Sequence, residues 1–272
     1  MFSEGAPAGV RNAPASAPGV PPPAAPAVRT IVHSADLRRS PLESRVPAVL
    51  PPPRTGPGLP HPERLARTED GERLHALLWR PGPGWRMVSS AVLGGGLGER
   101  AWVLNAQVAH GYRRTDPARH LAGLARAAGA RGPGVGLLTA ADVSAFGRAR
   151  DQGAEAVVTA GVSVRGWAAE PGAGAAGQAP PGTINIVAAL PVALTDAALV
   201  NAVMTVTEAK VQALLDAGLD CSGTPTDAVC VAARTPGDGT GAHSFAGPRS
   251  EWGARLARAV HRAVLAALPG AG

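Results

Sequence analysis

One lysine, one tyrosine and two cysteines are all that this chain of 272 residues carries of those types. Aromatic residues make up only 3% of it, which argues against a nucleic-acid binder that stacks bases on aromatic platforms. Cys221 and Cys230 are too few for a disulfide framework and match no zinc spacing; both are expected to be reduced, buried and structural. His33 and His61 lie in or beside a proline-rich segment and the other histidines are scattered, so no metal-ligand set is visible. No uninterrupted apolar run is long enough to cross a bilayer, and the first residues lack a basic stretch followed by an apolar one. A cytoplasmic location without a membrane partner is therefore expected. No Gly-x-Ser-x-Gly elbow occurs, and the run Gly94-Gly95-Gly96 lacks the Gly-Lys-Ser/Thr ending of a phosphate loop. Among 26 basic residues, Lys210 is the only one that is not arginine. A compact ammonium on a flexible stem does work that the planar guanidinium cannot, so Lys210 is singled out.

Hydrophobic residues reach 45%, enough to bury a core. The formal net charge is +6, of which residues 1–86 contribute +4 and residues 87–272 only +2. The basic balance thus sits largely outside the apolar part and is weak support for a polyanionic partner. Residues 1–60 hold 14 of the 27 prolines, with Pro21-Pro22-Pro23 and Pro51-Pro52-Pro53 as landmarks. Such a composition cannot bury a core. Residues 1–64 are expected to form a disordered tail and residues 65–270 a single domain.

The strand signals fall at 74–79, 85–93, 101–108, 135–139, 156–162, 183–190 and 227–233. A short helix is expected at 116–128, a long one at 196–217 behind a Thr195 cap, and an amphipathic one at 252–268. Residues 168–182 and 235–243 read as loops. Strands and helices mix without a strict alternation, which gives an α/β (α+β) single domain with a mixed β-sheet packed by helices. On the long helix, Leu199, Val203, Val206, Lys210 and Leu214 share a stripe, with Val200, Met204, Val211 and Leu215 beside it. Asn201, Thr205, Gln212 and Asp216 lie opposite. Lys210 interrupts the apolar face, so it must snorkel, pair with a carboxylate or face a polar cavity.

Several polar groups stand in apolar surroundings. They are Ser89-Ser90, Asn105, Thr139 with Asp142, Thr159, Thr183 with Asn185, the tetrapeptide Thr207-Glu208-Ala209-Lys210, and the run from Ser222 through Gly223-Thr224-Pro225-Thr226-Asp227. In this order, with the glycine run ahead of Asn105 and Gly-Thr-x-Thr-Asp after the long helix, they resemble the adenosylcobinamide amidohydrolase family. The resemblance spans about residues 85–268. Ser222 departs from it, standing where a threonine is expected.

The resemblance implies hydrolysis of the amide that joins aminopropanol to the corrin ring of adenosylcobinamide, giving adenosylcobyric acid and 1-amino-2-propanol for cobalamin salvage. The corrinoid is then a small-molecule substrate that carries its own cobalt, and no separate cofactor or protein-bound metal is implied. Amide hydrolysis needs a nucleophile, a donor for the oxyanion and an acid for the leaving amine. Glu208 or Asp227 is the candidate base, Thr224 and Thr226 the candidate hydroxyls, and Lys210 the group that tunes the carboxylate or holds the oxyanion. Gly94, Gly95 and Gly96 are placed against the substrate, with Asn105, Asn185, Thr139 and Thr183 as further binding residues. Each has a structural alternative. Lys210 and a buried carboxylate can form a purely structural pair, Glu208 can be a solvated helix-edge residue, Asp227 can cap a turn, and the glycines can form a hairpin. His110 and His120 read as surface residues. A non-catalytic corrinoid binder and an amidase or peptidase with another substrate are the competing functions, and the oligomeric state is left open.

Overall fold

The computed structural model describes residues 61–171, 182–237 and 241–269. The expected tail up to residue 60, and residues 172–181 and 238–240 of the two expected loops, lie outside the described residues. Ten strands and three helices follow along the described chain. They are β1 (Glu63–Glu69), β2 (Glu72–Trp79), β3 (Trp85–Ser89), β4 (Gly96–Glu99), β5 (Trp102–Gln107), α1 (Pro117–Ala127), β6 (Gly134–Thr139), β7 (Gly147–Asp151), β8 (Ala154–Gly161), β9 (Thr183–Ala193), α2 (Asp196–Asp216), β10 (Ala228–Arg234) and α3 (Glu251–Ala267).

The strands do not join in one sheet. They form a four-stranded sheet in the order β1-β2-β5-β6 and a six-stranded sheet in the order β4-β3-β10-β9-β8-β7, both mixed. β5 pairs parallel with β6, and β9 pairs parallel with β10 across the α2 crossover, while the remaining pairs are antiparallel. Side-chain alternation along a strand explains the layering. In β2, Leu77 and Trp79 face a core shared with Met87 of β3, Val187 of β9 and Cys230 of β10. Their neighbours Ala76 and Leu78 face the opposite way, onto Leu121 and Ala125 of α1. On the far side of the larger sheet, Ile184, Ile186 and Val231 meet Leu199 and Val206 of α2 and Leu256 and Val260 of α3. The result is four layers: α1, the smaller sheet, the larger sheet, and the α2–α3 pair. With sheets covered on both faces, the inner strands read as continuous apolar runs.

Thr195 caps α2 by accepting the Ala198 N–H at 3.2 Å, a contact worth about 1 kcal/mol. The face that α2 buries differs from the expected one. Leu199, Val206, Lys210 and Leu214 are buried, but Val200, Met204 and Leu215 are exposed. Their place is taken by Ala198, Ala202, Ala209 and Ala213, whose small side chains let α3 lie close. Thr205, expected on the polar face, is buried and donates to the Ala246 carbonyl at 2.8 Å.

Candidate active site

The site is built where the starts of β9 and β10 meet the ends of β3 and β6, between the sheets at one end of the sandwich. An open cavity of about 450 Å³ lies there. Its walls include Ser90, Val92, Val108, Leu137, Thr139, Thr183, Thr226 and Asp227, so most of the lining is apolar with a few convergent polar groups. Asp227 is the sole carboxylate of that lining among the described residues.

Asp227 sits one residue before β10 and is held from four directions. Its Oδ2 accepts from the Lys210 ammonium and, at 3.3 Å, from the Thr224 N–H. Its Oδ1 accepts from the Ile184 N–H at 2.9 Å and from the Thr224 hydroxyl. Lys210 reaches this point from the second half of α2, and both partners of the ion pair are mostly buried, at 10% and 14% exposure. The lysine singled out by composition is therefore the partner of a pocket carboxylate. Gly223 makes the pair feasible: a Cβ on it would overlap both Asp227 Oδ2 and Lys210 Nζ, and its φ of +155° also disfavours a side chain.

Beside the pair, the Thr183 and Thr226 hydroxyls share a hydrogen bond of 2.6 Å. Thr226 also donates to the Gly182 carbonyl at 3.0 Å, and Thr224 lies 2.8 Å from the same oxygen, its one proton shared between that carbonyl and Asp227. Thr183 and Thr226 line the cavity, whereas Thr224 stands behind Asp227 and does not. Thr139 lines the cavity and spends its oxygen on the Ala141 N–H at 3.0 Å. Ser89 and Ser90 stitch β3 to β10 through the Val229 carbonyl and N–H.

Other expected residues are placed elsewhere. Glu208 is exposed on α2 and does not line the cavity. Asn105 and Asn185, 2% and 1% exposed, tie the two sheets together: Asn185 donates to Asn105 at 2.9 Å, and Asn105 donates to Thr159 at 3.0 Å. Asn185 also donates to the Leu138 carbonyl at 2.9 Å. The glycine run is outside the lining. Gly94, at φ +69°, packs against the Gly134 backbone so closely that a Cβ would overlap its carbonyl; Gly95 is similarly tight against Ala91, and Gly96 faces open space. Gly94 and Gly95 serve close approaches of chain segments, whereas Gly96 supplies a left-handed backbone at φ +79°.

The lining also holds a residue that the sequence reading left aside. Tyr112 is the chain's one tyrosine, and its hydroxyl is 3.1 Å from Nδ1 of His120. His120 is buried, not a surface residue as expected, and its Nε2 lies 3.0 Å from Glu69. The uniqueness of Tyr112 was the only signal, because it lies between β5 and α1, outside any regular element, so no periodicity relates it to His120. Among the described residues no group of three or more His, Cys, Asp or Glu converges as a metal site, and no helix is long and apolar enough to cross a membrane.

The model of the adenosylcobinamide amidohydrolase family matches residues 59–271. This chain belongs to the adenosylcobinamide amidohydrolase family. Among its curated relatives, an adenosylcobinamide amidohydrolase of Methanosarcina mazei is 33% identical over 186 residues, covering 66% of this chain and 88% of the relative. Another, from Halobacterium salinarum, is 46% identical over 91 residues, or 34% of this chain and 38% of that one. Membership makes the chain an amidohydrolase, a hydrolase of a carbon–nitrogen amide bond, and the matched region takes in the whole described site.

Proposed function

We propose that the chain hydrolyses the amide joining 1-amino-2-propanol to the corrin propionate of adenosylcobinamide, releasing adenosylcobyric acid, and that the cavity at Asp227 is where it does so. The observation that carries the assignment of the site is the Asp227–Lys210 pair, a pocket carboxylate locked by the chain's one lysine. A cavity of about 450 Å³ suits the aminopropanol arm and the amide, leaving the macrocycle at the mouth, where Val92 is 54% exposed.

Asp227 acts as the base. With the Thr224 hydroxyl turned to the Gly182 carbonyl, Oδ1 of Asp227 takes a proton from a water whose oxygen adds to the amide carbon. The Thr226 hydroxyl, exposed at the cavity wall, turns its one proton from the Gly182 carbonyl to the oxygen that becomes negative. Asp227 then returns the proton to the amine nitrogen as the carbon–nitrogen bond breaks, leaving a carboxylic acid and an amine. Lys210 keeps the carboxylate in place through the cycle. Water is favoured over a threonine nucleophile by the hydrogen bonding. The hydroxyl that touches Asp227 is that of Thr224, outside the lining, whereas Thr226 is bonded to Thr183 and Gly182 and has no base on it.

Incubation of the purified chain with adenosylcobinamide tests the reading. Adenosylcobyric acid and 1-amino-2-propanol are expected by mass spectrometry in equal amounts. A folded chain that forms neither contradicts it, and corrinoid binding without turnover would then favour the binder.

A further inference from the structure

We propose that Tyr112 is a substrate-contacting residue of this cavity, offering its phenol oxygen as a hydrogen-bond acceptor, and that His120 and Glu69 are the positioning residues that aim it. The proposal rests on the reading that the cavity takes the amide arm of the substrate.

Three elements converge on the phenol. Tyr112 follows β5 and lines the same cavity as Asp227 and Thr226. His120, on α1, stacks on its ring with centroids 5.6 Å apart and planes 17° from parallel, while Nδ1 meets the hydroxyl at 3.1 Å. Glu69, at the end of β1, meets His120 Nε2 through Oε1 at 3.0 Å. Glu69 is fixed in turn, because its Oε2 accepts from Arg67 Nε at 3.0 Å, and Arg67 donates to the His75 carbonyl at 3.1 Å and to that of Gln107.

The donors and acceptors of this chain follow in order. The Nε2–H tautomer of His120 donates to the Glu69 carboxylate. In that tautomer Nδ1 is an acceptor, and the one proton of Tyr112 goes to it. Burial, the leading cause, raises the phenol above its ordinary value and keeps it neutral. The oxygen lone pairs are left for the cavity. The other polar groups in the lining are aliphatic hydroxyls and one carboxylate, so Tyr112 adds an acceptor on a rigid ring held by stacking. It suits the donors of a short amide arm: the amide N–H, or a hydroxyl on the amine portion. A tyrosine that only filled space would need neither a buried imidazole at its oxygen nor a carboxylate behind that imidazole.

The test compares full-length wild type with Tyr112→Phe, His120→Phe and the double variant, in turnover of adenosylcobinamide and in equilibrium binding of it, each checked for its thermal unfolding. Tyr112→Phe keeps the ring and is expected to lower kcat/KM about tenfold, the equivalent of one hydrogen bond. The loss should fall mainly in KM if the contact exists before and during reaction. His120→Phe keeps the stack, frees the phenol and is expected to lower kcat/KM as well, but to add nothing when combined with Tyr112→Phe, because it acts through the hydroxyl. An undiminished effect of His120→Phe in the double variant would make His120 merely structural and overturn its positioning role. Wild-type turnover with Tyr112→Phe within about twofold of it overturns the proposal and leaves the functional reading standing. If wild type binds adenosylcobinamide without hydrolysing it, weaker binding by Tyr112→Phe supports the contact and equal binding overturns it. A wild type that neither hydrolyses nor binds the corrinoid overturns both.

Discussion

At the scale of the residue, the account turns on why one lysine survives in a chain of arginines. Nζ fits into a space closed by Gly223 on one side and by Asp227 on the other. A guanidinium is wider and planar, so Lys210→Arg keeps the charge but displaces the carboxylate. Turnover is expected to fall at least about tenfold in steady-state assays, with the fold retained by circular dichroism. Gly223→Ala attacks the same contact from the other side, since its Cβ would overlap both partners. It should lower kcat/KM comparably without touching substrate. Lys210, Asp227, Thr226 and Thr183 were legible as candidates because polar residues in apolar stretches demand a reason. Glu208 was not distinguishable from Asp227 in the sequence, because only the fold says which carboxylate the lysine meets. Tyr112 and His120 were illegible as a pair, since their contact depends on how α1 returns over the end of β5.

At the scale of the element, the two buried asparagines replace an expected contact with substrate by a contact between sheets. Asn105 on β5, Asn185 on β9 and Thr159 on β8 form a polar chain across an otherwise apolar interface. Asn105→Ala leaves buried groups of Asn185 and Thr159 unpaired and should destabilise the fold by about 2 kcal/mol in urea unfolding. Its effect on KM for a correctly folded fraction should be small, which separates this role from direct binding. Most elements were legible, because the long helix announces itself by its Thr195 cap and the inner strands by continuous apolar runs. β1, β4 and β7 were not. All three are edge strands, ERLARTE and GRARD dominated by charge and GLGE by glycine, and their pairing is supplied by β2, β3 and β8 rather than by their own pattern. The exposed stripe of α2 escaped for a related reason: periodicity shows that a face is apolar, but the small residues that admit α3 decide which face is covered.

At the scale of the whole molecule, the division into two sheets was hidden because strand signals do not name their partners. The chain crosses from the smaller sheet to the larger after β2, and returns at β5, within short turns. That crossing creates the cleft, so the site exists only when both sheets are assembled. The same four-layer body carries an acid-sensitive clamp. Arg258, followed by Arg262, holds the carboxyl of Asp151 below its ordinary value, joining β7 to α3. A carboxylate with a depressed folded value contributes stability that is present above its unfolded value and is lost as pH falls through the folded one. Thermal midpoints should therefore drop as pH falls below the ordinary carboxylate range, and Asp151→Asn should be less stable at neutral pH with a flatter acid limb.

We propose Asp227, and not Glu208, as the base of this amidohydrolase. The rate of adenosylcobyric acid formation by Asp227→Asn, measured beside Glu208→Gln and wild type, tests it most directly. The account predicts a loss of about 100-fold or more for Asp227→Asn, with Glu208→Gln within about twofold of wild type, as for an exposed residue away from the cavity. A folded Asp227→Asn variant that retains wild-type turnover, or a collapse confined to Glu208→Gln, would contradict it.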